Sequence, residues 1–361
     1  MPTEGARVKR VARRTDVCRA TVAAALALAA VDVQPARAQV DRRDVPVAAQ
    51  PQQRFDIGQD VQPIYEGWQR RPDGGITLHF GYLNRNYRER PSVPVGPDNF
   101  FAPGDPDRGQ PAYFYPRTHR FEFTVDVPGD MGTSFEDGLV WTVRHNGREQ
   151  QAIGWLQPEW EIDQDTIIRN SGLGFGRPKE EWYANRPPRI AVSASHAVLA
   201  VGAPLSLTAV LADDPLPSPL APRPRSPGAS RSGVPALTPP DGSPEVPDNI
   251  PWYVRPRPPR NGLSVHWVVY RGPAGARIAP PDYQRSVSEE EAEPAGTQAR
   301  RYPSAGPRNS VSTATDGDGW VAATFEAAVT FDRPGTYVLR AHGSDGMRIA
   351  AADVTVSVRD P

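Results

Sequence analysis

The stretch Leu139-Val-Trp-Thr-Val-Arg-His-Asn-Gly-Arg-Glu-Gln-Gln-Ala-Ile-Gly-Trp155 decides how this chain folds. Leu139, Trp141 and Val143 fall on every second position, Asn146-Gly147 follows, and Ile153 and Trp155 come after it. Period-two spacing marks a strand with one buried face. Asn-Gly between two such runs supplies the positive φ that both central residues of a type I′ turn need. The stretch therefore predicts an antiparallel hairpin with Trp141 in a core.

The same alternation recurs upstream. Ile76, Leu78, Phe80 and Tyr82 alternate with Thr77, His79 and Gly81, and Phe121, Phe123, Val125 and Val127 alternate with Glu122, Thr124 and Asp126. No comparable run has a helical period. Residues 55–165 are expected to form an antiparallel β domain. Residues 166–188 are expected to be a linker, because Gly172, Gly174, Gly176 and Arg186-Pro187-Pro188 limit regular structure.

A second domain is expected over 189–358. Its strands are read at Ile190–Ala194, Leu205–Leu211, Leu263–Tyr270, Trp320–Val329, Thr336–His342 and Ile349–Val358. Short strands between turn residues, without helices, suggest a β-sandwich. Two inserts interrupt it. Residues 213–260 hold 15 prolines, and residues 286–315 are acidic and then small and polar. Neither pattern can build a ladder or bury a core, so both are expected to be disordered. The fold class is all-β, with two antiparallel sandwich-like domains.

Residues 1–38 read as an export signal. Arg7, Lys9, Arg10, Arg13, Arg14 and Arg19 precede the apolar run Ala20–Val31, and Ala36-Arg37-Ala38 offers a cleavage site. The run is shorter than the roughly 20 residues a membrane span needs. Mature protein is expected from about Gln39, in the periplasm or outside the cell, with 39–54 as a flexible leader. Arg13-Arg14 admits a twin-arginine route, but Thr15-Asp16 follows where that motif wants an apolar pair, which favours general secretion. Cys18, the single cysteine, leaves with the signal, so no disulfide, thiolate metal site or cysteine nucleophile is expected.

Cleavage takes Lys+Arg from 41 to 34 and Asp+Glu from 42 to 39, a net charge of −5. A weakly acidic chain has no general attraction for nucleic-acid phosphates. No second apolar span occurs, so no transmembrane segment is expected in the mature chain.

Four segments carry a resemblance: Gly202-Ala-Pro-Leu-Ser-Leu-Thr-Ala-Val, Val265-His-Trp-Val-Val-Tyr, Phe331-Asp-Arg-Pro-Gly-Thr-Tyr-Val-Leu-Arg-Ala and Ser344-Asp-Gly. Without its inserts, 189–358 resembles a PKD-type or bacterial immunoglobulin-like domain. The resemblance implies that Pro-Gly-Thr-Tyr opens a late strand, that Tyr337 packs at the sandwich corner and that Trp267 is the central core aromatic. It further implies a spacer, adhesion or binding module, although fold alone does not assign function. The inserts fall where that family has short connections. Residues 55–165 resemble exported bacterial proteins of unknown role through Gly81-Tyr-Leu-Asn-Arg-Asn-Tyr, Val95-Gly-Pro-Asp-Asn and Gly109-Gln-Pro-Ala-Tyr-Phe-Tyr-Pro-Arg, which implies no mechanism.

The chain has no G-x-S-x-G elbow, no H-E-x-x-H pair and no phosphate loop, so no catalytic residue, cofactor or metal is expected. Gly172-Leu-Gly-Phe-Gly176 reads as a flexible connector. His119 and His145 read as strand-end residues, with a zinc or catalytic role as the alternative. Asp316-Gly-Asp-Gly319 starts like a calcium loop, but position 12 is Ala327 where a Glu is needed, and a plain turn is expected.

The best binding candidate is the aromatic, polar segment between Leu83 and His119. Its candidate ligand contacts are Asn84, Arg85, Tyr87, Asp98, Asn99, Phe100, Phe101, Gln110, Tyr113, Tyr115 and Arg117. Aromatic faces stack on sugars or apolar partners, and Asn, Asp and Arg bond hydroxyls or carboxylates. The alternative is that Phe100, Phe101, Tyr113 and Phe114 fold back and cap the core.

The functional expectation is a non-catalytic exported envelope protein that binds or scaffolds an envelope protein or polysaccharide. Two alternatives stand beside it. One is a carbohydrate-binding or polysaccharide-processing accessory protein. The other is an enzyme whose carboxylate pair forms only in space.

Overall fold

The computed structural model describes residues 55–129, 138–174, 176–220, 258, 261–280, 284–285, 314–315 and 319–361. Residues 1–54, read as signal and leader, residues 316–318, read as a plain turn, and most of both expected inserts lie outside these residues.

The chain is all-β, with several antiparallel sheets. Strands β1 (Val61–Arg70), β2 (Ile76–Asn84) and β4 (Arg117–Val127) form one sheet in the order β1-β2-β4. Strands β3 (Asn99–Ala102), β5 (Leu139–His145) and β6 (Arg148–Gly154) form a second, ordered β3-β5-β6. The β5–β6 turn is the expected two-residue one: His145 pairs with Arg148, and Asn146 and Gly147 have φ of 51° and 71°.

The two sheets bury Leu78, Phe80, Phe101, Phe114, Phe123 and Trp141 between them. Phe101 stacks on Trp141 at 5.9 Å, and Phe80 on Phe123 at 5.6 Å. Each such side chain contributes roughly 1.5–3 kcal/mol through burial. One irregularity alters the alternation. The β2–β4 register shifts between Phe80 and Tyr82, and Phe121 takes φ 50° and is only partly buried. At the shift the β4 backbone crosses close over Gly81, where a Cβ would sit 2.3 Å from the His119 carbonyl. A side chain at 81 would push the two strands apart.

The second core lies between two further sheets. One is ordered β11 (Ala276–Ala279), β14 (Val321–Phe331), β9 (Leu205–Asp213), β7 (Arg189–Ala194), and short β13 (Ala314–Thr315) also pairs with β14. The other is ordered β12 (Gln284–Arg285), β10 (Ser264–Arg271), β15 (Gly335–Ser344), β16 (Ile349–Arg359), β8 (Val198–Ala200), with β8 parallel to β16. Strict alternation in β9 and β14 puts Leu205, Leu207, Leu211, Phe325, Val329 and Phe331 inside. Trp267 and Tyr337 are buried in this core. The Tyr337 hydroxyl donates to the Arg333 carbonyl at 2.9 Å, closing the turn that opens β15.

The stretch expected as an irregular linker contains two short helices, α1 (Gln164–Asn170) and α2 (Lys179–Ala184). Asp163 caps α1 by accepting from the Thr166 N–H and hydroxyl, both at 2.7 Å. One glycine of the expected flexible connector serves packing. Gly174, at φ 69°, lets the turn approach Ile168 to where a Cβ would lie 2.6 Å from its methyl. Ile168, Leu173 and Trp182 bury Met347, so this strap is fastened to the second sandwich.

Candidate functional site

The segment between β2 and β4 joins the two sandwiches. Tyr113 is buried in the second core, and Tyr115 packs against it. Ala112 and Tyr113 donate their backbone N–H groups to the Tyr270 carbonyl at 3.0 and 3.2 Å. The Tyr115 hydroxyl accepts from the Val269 N–H at 2.9 Å, and the Tyr115 N–H donates to the Tyr82 hydroxyl at 3.1 Å. The Tyr270 hydroxyl donates to the Gly109 carbonyl at 2.6 Å. Arg271 grips Asp107 at 2.7 and 2.9 Å and donates to the Gln110 carbonyl at 2.9 Å.

Charge follows this geometry. Hydrogen bonds from Arg271 hold the Asp107 carboxyl below the usual range. Burial pushes the Tyr113, Tyr115 and Tyr270 hydroxyls upward, so they stay neutral. Arg340 lies over the Tyr270 ring, 3.3 Å from its centroid, and pairs with Asp353 at 2.7 and 2.8 Å.

Buried amides hold the segment from within. Asn99 Nδ2 donates to the Val93 and Pro111 carbonyls at 2.9 and 2.8 Å, and its Oδ1 accepts from the Trp141 indole at 2.9 Å. Asn84 donates to the Glu89 and Phe114 carbonyls at 2.8 and 3.1 Å. Gln110 donates to the Pro106 carbonyl at 2.8 Å and accepts from the Arg108 N–H at 2.8 Å.

The eleven candidate ligand contacts thus divide. Asn84, Asn99, Phe101, Gln110 and Tyr113 are buried, and Tyr115 is spent on the second sandwich. Arg85 and Asp98 are exposed, and Tyr87, Phe100 and Arg117 are partly so. Arg117 stacks on Tyr87 with its charge 4.3 Å from the ring centroid. Asp98 lines a depression of about 620 Å³ between the Ser92–Pro94 loop and the β5–β6 hairpin. Arg144 organises it, bonding Glu149 at 2.7 Å and the Pro97 carbonyl at 2.5 Å beside the Phe100 ring. His145 faces Glu89 at 3.3 Å.

His119 and His145 have different partners. His119 stacks on Tyr82 at 4.6 Å and bonds the Pro116 carbonyl at 3.2 Å. Among the described residues, no cluster of three or more His, Cys, Asp or Glu is arranged to hold a metal.

Exposed apolar and aromatic side chains lie outside this segment, Tyr183 and Phe55 among them. Ile153, Trp155 and Trp160 are each about 40% exposed. The segment carrying the two tryptophans is pinned from below. Tyr65 donates to the Trp155 carbonyl at 2.8 Å and packs on Trp160 at 5.4 Å, and Trp68 donates to the Gln157 carbonyl at 2.9 Å. Trp155-Leu-Gln-Pro-Glu-Trp160 was visible in the sequence as two tryptophans around a proline turn, but composition did not distinguish it from core. Comparison with protein-family models and with curated proteins finds no match to this chain.

Proposed function

We propose that this chain is an exported bacterial envelope protein acting as a rigid, non-catalytic binding or scaffolding module. One observation carries the reading: the segment richest in aromatic and polar chemistry is consumed as the joint between two sandwiches. A joint built from buried tyrosines, buried amides and an Arg271–Asp107 fork fixes the two halves relative to each other. Rigid presentation of loops suits binding. Export rests on residues 1–38 and their cleavage site. The Tyr337–Arg333 bond supports reading 189–358 as a PKD-type or immunoglobulin-like domain.

The test is recovery of tagged full-length protein from envelope extracts of its own host, with bound protein and bound sugar both measured. A stoichiometric protein partner whose retention falls when Asp98 and Arg144 are replaced supports the reading. Recovery of neither partner class, with turnover of an envelope polymer instead, overturns it in favour of an enzyme.

A carbohydrate-accessory role is the second reading, favoured by the half-exposed Trp155 and Trp160. Indoles carried on a pinned backbone offer faces on which sugar rings stack. Recovered polysaccharide that is lost on replacing both tryptophans by alanine selects this reading.

A further inference from the structure

Three aspartates meet where β9 ends and the turn into β16 begins. Asp213 is 5% exposed, and its Oδ1 has no hydrogen-bond partner. Asp345 is 2% exposed. Its Oδ1 accepts from the Met347 and Arg348 N–H groups, both at 2.6 Å, and its Oδ2 accepts from Asn185 at 2.8 Å. The Asn185 Oδ1 is buried and unpartnered. Asp214 is held by Arg186 at 3.0 Å and by the Leu216 N–H at 2.9 Å.

Two arginines flank the group, and the Nε of Arg348 is buried without a hydrogen-bond partner. Arg177 faces Glu181 at 3.6 Å, bonds Asn261 at 3.3 Å and bonds the Ser218 carbonyl. Arg348 donates to the Trp182 carbonyl at 3.1 Å. The turn holding Asp345 also carries Met347, the residue that Ile168, Leu173 and Trp182 enclose. The acidic group therefore sits at the point where the strap, residues 163–186, is fastened to the second sandwich.

We propose that Asp213 and Asp345 form a proton-operated latch for this strap: a proton held by the pair keeps the strap docked, and its loss to solvent favours release. With the proton in place the pair carries one negative charge. Without it, two buried carboxylates carry charge within electrostatic reach of each other and of Asp214, and water must enter to solvate them.

Burial, then the charges of Asp345 and Asp214, push the Asp213 carboxyl up to about 8, and burial pushes Asp345 upward too. A solvated aspartate titrates near 3.8. Between these values the docked strap holds a proton that the released strap does not. Opening therefore becomes more frequent as pH rises through that window, approaching tenfold per pH unit for one proton, and levels off above about 8. Acidification tightens the strap.

The experiment is amide hydrogen exchange on the full chain from pH 5 to 9, corrected for intrinsic exchange chemistry. The Ser171 and Leu173 amides, bonded to Ile167 and Ile168, report the strap, and the β2 and β4 amides serve as reference. Protection of the strap should fall steeply to about pH 8 and then flatten, independently of the reference. Asp213→Asn should remove the slope. Asp345→Asn keeps an oxygen for the two turn N–H groups and removes the like charge, so the steep part should end at lower pH. A flat parent profile, or an unchanged slope in Asp213→Asn, overturns the latch. If Asp213→Asn does not fold, the parent profile and an unmoved Asp345→Asn profile decide against it by themselves.

Discussion

Replacing Asn99 by alanine tests the joint at its most enclosed polar group. Asn99 is fully buried and makes three hydrogen bonds, two donated to the Val93 and Pro111 carbonyls and one accepted from Trp141. Alanine leaves two carbonyls and one indole N–H buried without partners. An orphaned buried group costs roughly 1–3 kcal/mol, and neighbouring losses are not additive. Partial relaxation of one carbonyl toward the depression lowers the sum, so the expected loss is about 3–5 kcal/mol. Urea unfolding followed by tryptophan fluorescence measures it, with an unchanged slope confirming the same unfolded reference. Asn99→Asp should be no milder, since a carboxylate would face both carbonyls. A cycle with Trp141→Phe isolates the indole bond, for which a coupling near 1 kcal/mol is expected. A loss below 1 kcal/mol for Asn99→Ala, with no coupling, would refute the claim that this amide organises the segment.

Further outcomes follow from the same geometry. Tyr115→Phe removes the acceptor for the Val269 N–H and should cost about 1 kcal/mol; combined with Arg271→Ala it should separate one calorimetric transition into two, and a single unmoved transition counts against the joint. Trp267→Ala and Tyr337→Ala should destabilise the second sandwich by about 3–5 and at least about 2 kcal/mol. Melting temperatures equal to the parent's would contradict their core placement. His79 is buried against Gln69 at 2.9 Å, and burial pushes its pKa down to about 4 from 6.5. The unfolded chain then binds the extra proton between those values, so stability should fall by about 3 kcal/mol as pH drops from 6.5 to 4, then level off. His79→Gln should flatten that part of the profile; an unchanged profile would exclude His79 as its source.

Strand positions were legible because alternation is local. All six strands read between 189 and 358 appear, with bounds moved by a residue or two, and the Asn146-Gly147 hairpin forms at its expected register. Trp141, read as core from the alternation of its strand, is buried, and so are Trp267 and Tyr337, whose core places only the resemblance implied. The short elements were not legible. Helices α1 and α2 have seven and six residues, too few to establish a 3.6-residue period, and β3 has four, inside a segment read for its side-chain chemistry.

The fate of the 84–117 segment depended on residues far along the chain. Its aromatic and amide content fits a ligand platform and a buried joint equally, because stacking and hydrogen bonding are the same physics in both. Tyr115 meets Val269 and Tyr270 meets Gly109 across more than 150 residues of sequence, and no local pattern encodes such a meeting. The latch aspartates show the same limit. Asp213 ends an ordinary alternating strand and Asp345 sits in an ordinary Ser-Asp-Gly turn. Packing alone takes both carboxyls out of water, and that burial raises their proton affinity.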